Sequence, residues 1–194
     1  IGFNRNVTVG GTFTLNDGTL VAGNGTYITL NAVSTSPGFQ FFAETSTVEY
    51  RATPIPLVGF YNLVVNPSSG TANQTDGILV VANDFTLSTG KTLNCTTNDV
   101  MQVSRHFTNN GTVAPTGNCT LELTGAKDSV VTGTTAIGHL LVTKTNATDS
   151  VSFASSVTTQ AGFTFTKGAA TLGSGVILQL AAGGTVGDGS GSDD

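Results

Sequence analysis

The fold is decided by the stretch Phe85-Thr-Leu-Ser-Thr-Gly90, in which two apolar side chains alternate with polar ones before a glycine. Similar stretches begin 72 residues earlier, at Phe13-Thr-Leu-Asn-Asp-Gly18, and 78 residues later, at Phe163-Thr-Phe-Thr-Lys-Gly168. Self-similarity at a near-constant spacing indicates a repeat architecture. The chain therefore reads as about two and a half copies of a unit of roughly 75 residues.

A second set of matches repeats in the same order. Thr47-Val-Glu-Tyr50 corresponds to Thr120-Leu-Glu-Leu123, and Phe60-Tyr-Asn-Leu-Val-Val65 corresponds to Gly138-His-Leu-Leu-Val-Thr143. Each unit is a series of short strands separated by Gly, Asn, Asp or Ser. We expect each unit to contain three or four coils of about 18 to 25 residues.

The strands alternate apolar residues with Thr, Asn, Glu or Gln, which predicts one buried side and one solvent-facing side. The alternating pairs are Phe13 and Leu15, Ile28 and Leu30, Val48 and Tyr50, Phe85 and Leu87, Leu121 and Leu123, and Phe163 and Phe165. Such strands build either a sandwich or a solenoid. In a solenoid only the inward alternation and the corner residues need to recur, as they do here.

The sequence thus favours an all-β fold, a right-handed parallel β-helix (β-solenoid), with a β-sandwich or jelly roll as the alternative. Residues 1–180 are expected to form this single domain, and residues 181–194 a Gly/Ser/Asp-rich tail or linker. Composition agrees with the fold class, because Thr (34), Gly (25), Ser (15) and Asn (15) supply 89 of 194 residues. Thr suits sheets, while Gly and Asn suit turns.

Charge and hydropathy exclude several classes of protein. The net charge is −5 and the seven Lys and Arg residues are scattered, so the chain lacks a basic stripe for nucleic acid. It also lacks an apolar run long enough for a transmembrane segment. The chain begins at Ile1 without Met, which we expect to reflect a removed signal peptide or a start within a longer product. Both readings predict a secreted protein at the cell surface.

The two cysteines, Cys95 and Cys119, each lie in the tripeptide Asn-Cys-Thr. Alternation places Cys95 on the side of Leu93, and Cys119 on the side of Leu121. Both thiols are therefore predicted to face inward, on neighbouring coils, where they form either a disulfide or two unlinked buried thiols. An exported protein favours the disulfide.

The glycosylation tripeptide Asn-x-Ser/Thr occurs seven times. The acceptor residues are Asn6, Asn24, Asn73, Asn94, Asn110, Asn118 and Asn146. They indicate either an N-glycosylated surface protein or accidental triplets in a Thr-rich sheet, and both readings leave these residues exposed.

Reaction chemistry is not evident in the sequence, so we expect no enzyme, no catalytic residue and no cofactor. Glu49 and Glu122 occupy matching outward positions in the repeat, but without a partner base or metal set they receive no role. His106 and His139 lack a nucleophile context. The tail residues Asp188, Asp193 and Asp194 are the one possible Ca²⁺ site, although their spacing departs from a calcium loop.

A family resemblance rests on four segments taken together. They are Phe-Thr-Leu-x-x-Gly, then Asn110-Gly-Thr112, then Thr120-Leu-Glu-Leu-Thr-Gly125, then Leu141-Val-Thr143. This order resembles the β-helical repeats of secreted microbial surface proteins and adhesins. The resemblance implies a parallel β-helix displayed outside the cell, often as one stretch of a longer polypeptide, and transfers no catalytic residues.

The ends of a solenoid expose unpaired backbone groups and an open core unless they are capped. We see no cap in the sequence, so we expect head-to-tail contacts between copies of the chain, which need not close. The expected joining surfaces are Phe3, Val7 and Val9 at one end and Val176, Leu178 and Leu180 at the other; ordinary terminal core strands are the alternative reading. The predicted function is an extracellular structural subunit of a filament or adhesin stalk, which could also contact glycans or host surfaces. A carbohydrate-binding or carbohydrate-active β-helix module is the alternative.

Overall fold

A computed structural model describes residues 2–15, 19–35, 40–42 and 44–187. These residues form strands, turns and loops, and none of them is helical. In chain order the strands are β1 (Gly2–Phe3), β2 (Val7–Leu15), β3 (Thr19–Ala22), β4 (Tyr27–Thr35), β5 (Gln40–Phe42), β6 (Thr47–Tyr50), β7 (Asn62–Val65), β8 (Thr71–Asn73), β9 (Gly77–Val81), β10 (Phe85–Leu87), β11 (Thr92–Cys95), β12 (Asp99–Val103), β13 (Phe107–Asn109), β14 (Thr112–Pro115), β15 (Thr120–Leu123), β16 (Ser129–Thr132), β17 (Thr135–Thr143), β18 (Ser150–Phe153), β19 (Val157–Lys167), β20 (Ala169–Leu172), β21 (Leu178–Leu180) and β22 (Thr185–Gly187).

Within the described part of the chain, every strand pairs in parallel with a strand one coil away. The result is a β-solenoid of about eight turns, which confirms the predicted all-β parallel fold and makes the sandwich alternative wrong. One nine-stranded sheet, here called face 1, runs in the order β2-β4-β6-β7-β10-β13-β16-β18-β20. It is the sheet that extends through all the described coils.

Two further faces complete each turn. From β8 onward, face 2 contains β8, β11 and β14, and face 3 begins with β9, β12 and β15. The longer strands β17 and β19 cross from face 2 to face 3, with a register shift between Ile137 and His139. β3 and β5 pair with each other and not with β9, because the irregular segment 51–61 separates them and makes only isolated bridges, such as Phe60 with Val81.

The core is a set of columns in which each side chain stacks on its equivalent in the next coil. The longest column follows face 1 through nine register partners: Val7, Ile28, Val48, Leu63, Phe85, Phe107, Val131, Phe153 and Leu172. Its seven inner members are buried. The rings of Phe85 and Phe107 stack with centroids 5.0 Å apart and planes 5° from parallel. Alternation along each strand therefore becomes a continuous apolar core.

The segments matched in the 75-residue repeat lie on different faces. Thr47–Tyr50 is β6 on face 1, whereas Thr120–Leu123 is β15 on face 3. The cause is coil length, because Phe153 is three coils from Phe85 on the same column and Phe163 lies ten residues beyond it. A spacing of 72 to 78 residues is not a whole number of turns, so Glu49 and Glu122 do not share a face.

The C-terminal boundary also differs from the expected one. Thr185–Gly187 forms β22, which pairs with β19, inside the segment expected to be a tail. Residues 188–194, including the three aspartates of the possible calcium site, lie outside the described residues.

Polar side chains tie neighbouring coils together at the corner that precedes face 1. Asp84 Oδ1 accepts a hydrogen bond from the His106 backbone N–H at 3.3 Å, and His106 Nδ1 accepts one from the Val130 N–H at 3.1 Å. Asp128 Oδ1 accepts from the Ser150 N–H at 2.8 Å. In each case the acceptor lies one coil earlier than the donor, so these contacts align successive coils in one direction.

Gly133 illustrates how closely the coils approach. Its φ is +85°, and a Cβ atom built there would lie 1.7 Å from the Asn109 carbonyl oxygen of the preceding coil. Gly90 has a similar φ of +70° but open space around the same position. Both glycines permit a left-handed turn, and only Gly133 also lacks room for a side chain.

We predict that Gly133→Ala destabilises the protein more than Gly90→Ala. The Gly90 change adds backbone strain of about 1–2 kcal/mol. The Gly133 change adds the same strain plus an overpacking cost of about 1–3 kcal/mol, since the Asn109 carbonyl must move. Urea unfolding of both variants measures the difference, and equal losses of stability would contradict the close approach.

Candidate functional site

The last described coil leaves the core open at its outer end. Leu172 ends the face 1 column and is 52% exposed, although its partner Phe153 is buried. Val186 ends a face 3 column after Phe163 and is 69% exposed. Both side chains have inward register positions, and within the described residues no strand pairs with theirs on the outer side. This end therefore presents core side chains rather than an ordinary polar surface.

The first described coil presents the opposite end of the same columns. β2 is an edge strand of face 1, and Val7 and Val9 are half-buried because nothing described covers them from outside. The side chain of Phe3 lies outside the described residues. An edge strand also exposes a row of backbone N–H and C=O groups that can pair with another strand.

The two outer coils of the described solenoid present the same number of strand segments. The first coil contributes β1 and the two halves of β2, which a register shift between Val9 and Thr12 separates. The last coil contributes β20, β21 and β22. Each end therefore shows three strand segments, and each has an edge of the face 1 sheet. Parallel strands on a shared sheet give these edges complementary polarity.

The structure places the sequence-predicted interface residues at these two ends. Val176, Leu178 and Leu180 are partly buried and pack against the core from the last coil. The sequence prediction missed Leu172 and Val186, which are the most open members of the columns. Register with Phe153 and Phe163 identifies them, and that signal requires the strand pairing.

Cys95 and Cys119 form a disulfide, as the sequence predicts. Both residues are fully buried, and the bond joins the coil of β11 to the coil of β15, with Cα atoms 5.8 Å apart. The link closes a loop with a separation of 24 residues and crosses between two stacked coils.

The glycosylation acceptors lie at corners and strand ends, and glycan attachment stays a prediction. Six are exposed: Asn6, Asn24, Asn73, Asn110, Asn118 and Asn146. Asn94 is half-buried, and its Nδ2 donates to Asn73 Oδ1 of the preceding coil at 2.8 Å. Asn146 Nδ2 donates to Asp149 Oδ2 at 3.0 Å.

Lys144 is an unexpected charged residue in the interior. It is buried, and its Nζ donates to Ser129 Oγ at 2.9 Å and to the backbone oxygens of Ser104 and Thr124. Burial lowers the pKa of Lys144, and the nearby carboxylates of Asp149 and Asp128 partly offset this. The ammonium group thus connects three successive coils.

Within the described residues, no group of three or more His, Cys, Asp or Glu could hold a metal ion. His106 is part of the corner contacts described above, and His139 Nε2 lies 3.0 Å from Thr164 Oγ1. None of the described elements is a helix able to span a membrane.

Comparison with protein family models, curated proteins and solved structures finds no match to this chain. The resemblance to adhesin-type β-helical repeats therefore stays a prediction from sequence.

We predict that removing the disulfide through the double substitution Cys95→Ala and Cys119→Ala lowers the free energy of unfolding by about 3 kcal/mol. The loss arises because the open 24-residue loop gains freedom in the unfolded chain. Urea titration measures it, with reductant added to the native protein as a matched control. If reductant changes the free energy of unfolding of the native protein as little as it changes that of the variant, the prediction is contradicted.

We also predict a pH dependence from His139. Burial lowers the pKa of His139 below its ordinary value of 6.5 in the folded protein. As pH falls below about 6.5 the unfolded chain takes up a proton first, so stability decreases; above that pH this contribution is fully present. Thermal unfolding between pH 7.5 and 5.5 should show a smaller decrease for His139→Gln. If the pH profile of His139→Gln equals that of the native protein, the loss of stability at low pH comes from other titratable groups.

Proposed function

We propose that this chain is an extracellular structural protein, a subunit of a self-assembling cell-surface filament or a segment of an adhesin stalk. The observation that carries the proposal is the pair of outer coils that no described residue covers. Leu172 and Val186 expose the core at one end, and the β2 edge with Val7 and Val9 lies at the other. A second copy stacked in the same direction would extend face 1 and cover both.

Contact between the two ends is heterologous, because different surfaces meet. Such a contact propagates without closing, which produces a filament rather than a dimer. At the corner before face 1, Asp84 accepts a hydrogen bond from His106 and Asp128 accepts one from Ser150, each acceptor lying one coil before its donor. A second copy stacked in the same direction would continue this pattern. Continuation of the column from Leu172 to Val7 of the next copy would remove apolar surface from water.

Two features support an extracellular setting. A buried disulfide between Cys95 and Cys119 is typical of proteins that fold under oxidising conditions. Exposed glycosylation tripeptides at the coil corners suit a secreted protein. The surface is also sparsely charged, and only two ion pairs join described side chains.

Electron microscopy of the purified protein tests the assembly. We expect filaments with an axial repeat of about 40 Å, from eight coils at about 4.8 Å each. Leu172→Lys should abolish them, because a lysine ammonium would be buried in the joint. Thr171→Lys is the matched control, since Thr171 lies on the same strand but contacts Ser152 on the outward side. Circular dichroism verifies that both variants fold.

Two results would overturn the proposal. If electron microscopy shows only single particles of the native protein at micromolar concentration, the protein does not self-assemble. Filaments that persist in Leu172→Lys but not in Thr171→Lys would place the contact on the side of the solenoid rather than at its end.

A further inference from the structure

A polar cluster on the outward side of face 1 is independent of the open ends. Its centre is the Glu49 carboxylate of β6, which is 7% exposed although it points away from the core. Three side chains donate to it: Tyr27 Oη to Oε2 at 3.0 Å, Arg51 Nε to Oε1 at 2.8 Å and Asn66 Nδ2 to Oε1 at 2.7 Å. Tyr27, Glu49 and Asn66 come from three successive coils.

The carboxylate of Glu49 is held ionised by these donors. Burial alone raises its pKa, but the hydrogen bonds from Arg51, Asn66 and Tyr27 outweigh burial and lower the pKa overall. A charged acceptor with three donors fixes the orientation of each donor side chain. Glu49 is thus a positioning residue for Arg51 and Tyr27.

Arg51 keeps part of its guanidinium group available. Only Nε is bound to Glu49, and no described residue accepts a hydrogen bond from Nη1 or Nη2. The side chain is 40% exposed. The Nη1–Nη2 edge is a planar pair of donors that matches the two oxygens of a carboxylate. An arginine already fixed through Nε loses little conformational freedom when such a group binds.

Tyr27 brings an aromatic ring to the carboxylate that also holds Arg51. Its hydroxyl donates to Glu49 Oε2, while Arg51 Nε donates to Oε1 of the same group. Tyr27 is 37% exposed, and the hydrogen bond to Glu49 fixes the orientation of its ring.

We propose that Tyr27 and Arg51, positioned by Glu49 and Asn66, form a binding site for a saccharide that carries a carboxylate. The carboxylate pairs with the two Nη groups of Arg51, and the apolar face of the sugar ring packs on Tyr27. Both side chains are exposed, which suits one unit of an extended polysaccharide.

The second arginine–carboxylate pair, Arg105 with Asp84, differs from the pair of Arg51 with Glu49. Arg105 is also 40% exposed, and its Nη1 lies 3.5 Å from Asp84 Oδ2. That contact involves Nη1, whereas Arg51 binds its carboxylate through Nε and leaves both Nη groups available. Arg105 therefore provides a matched control with equal exposure.

An oligosaccharide array tests the site. The array carries glucuronate-, galacturonate- and sialate-bearing oligosaccharides, each beside its uncharged methyl ester. We expect at least one acid to bind and its ester to bind at least about tenfold more weakly, because the ester loses the charge-assisted pair with Arg51. Calorimetry with the strongest acid then gives the affinity, and sodium acetate alone should bind at least tenfold more weakly.

Variants locate the binding. Arg51→Lys keeps the charge but loses the planar donor pair, and Tyr27→Ala loses the ring; each should weaken binding at least about tenfold. Arg105→Lys should leave the affinity unchanged. Urea unfolding verifies that the variants fold.

The proposal is overturned if no acid exceeds its ester on the array, if acetate binds as well as the saccharide, or if Arg105→Lys weakens binding as much as Arg51→Lys. These outcomes are separate from assembly, since Leu172→Lys removes the proposed joint and should retain saccharide binding. Loss of filaments with retained binding, or the reverse, therefore tells the two proposals apart.

Discussion

The structure depends on one constraint, which is that every inward side chain must stack on its equivalent in the next coil. Parallel strands about 4.8 Å apart leave no freedom to offset one coil from another. The nine-residue column from Val7 to Leu172 satisfies the constraint with apolar residues throughout, and the stacked rings of Phe85 and Phe107 show how tightly it is met. Among the described residues, the first and last members of this column, Val7 and Leu172, have a stacking partner on one side only, and both are partly exposed.

Parallel pairing sets the direction of the coils, and polar side-chain contacts add to it at one corner. At the corner before face 1, side chains of one coil accept hydrogen bonds from backbone N–H groups of the next coil. Asp84 accepts one from His106, and Asp128 accepts one from Ser150. Lys144 connects three coils through carbonyl oxygens that a shorter side chain could not reach. The disulfide adds a covalent link in the middle of the stack. The interior is thus organised by a few specific polar contacts within an apolar column.

Alternation in single strands was enough to predict the inward position of Tyr50 and the burial of both cysteines, and together with the repeat it predicted the fold class. It was not enough to predict which strands share a face. Thr47–Tyr50 and Thr120–Leu123 look alike because both are half-buried strands, yet coil length places them on different sheets. Leu172 and Val186 were missed for the same reason, because only register shows that they end core columns. Lys144 carries no sequence signal, since its partners are backbone oxygens from distant positions.

The outward side of a stacked coil is free to vary, because the core needs only the inward residues and the backbone pairs are satisfied by neighbouring strands. Face 1 uses that freedom at Glu49, where side chains from three coils converge on one carboxylate. Such a cluster requires the coil stack, since Tyr27 and Asn66 lie 39 residues apart in sequence. In a head-to-tail filament the cluster recurs once per copy, about 40 Å apart. The proposed saccharide site, repeated at that spacing, would gain avidity on a long polysaccharide, because each bound unit raises the effective concentration of the next. Assembly would then increase the overall affinity for a polysaccharide, although each single site at Arg51 and Tyr27 binds it weakly.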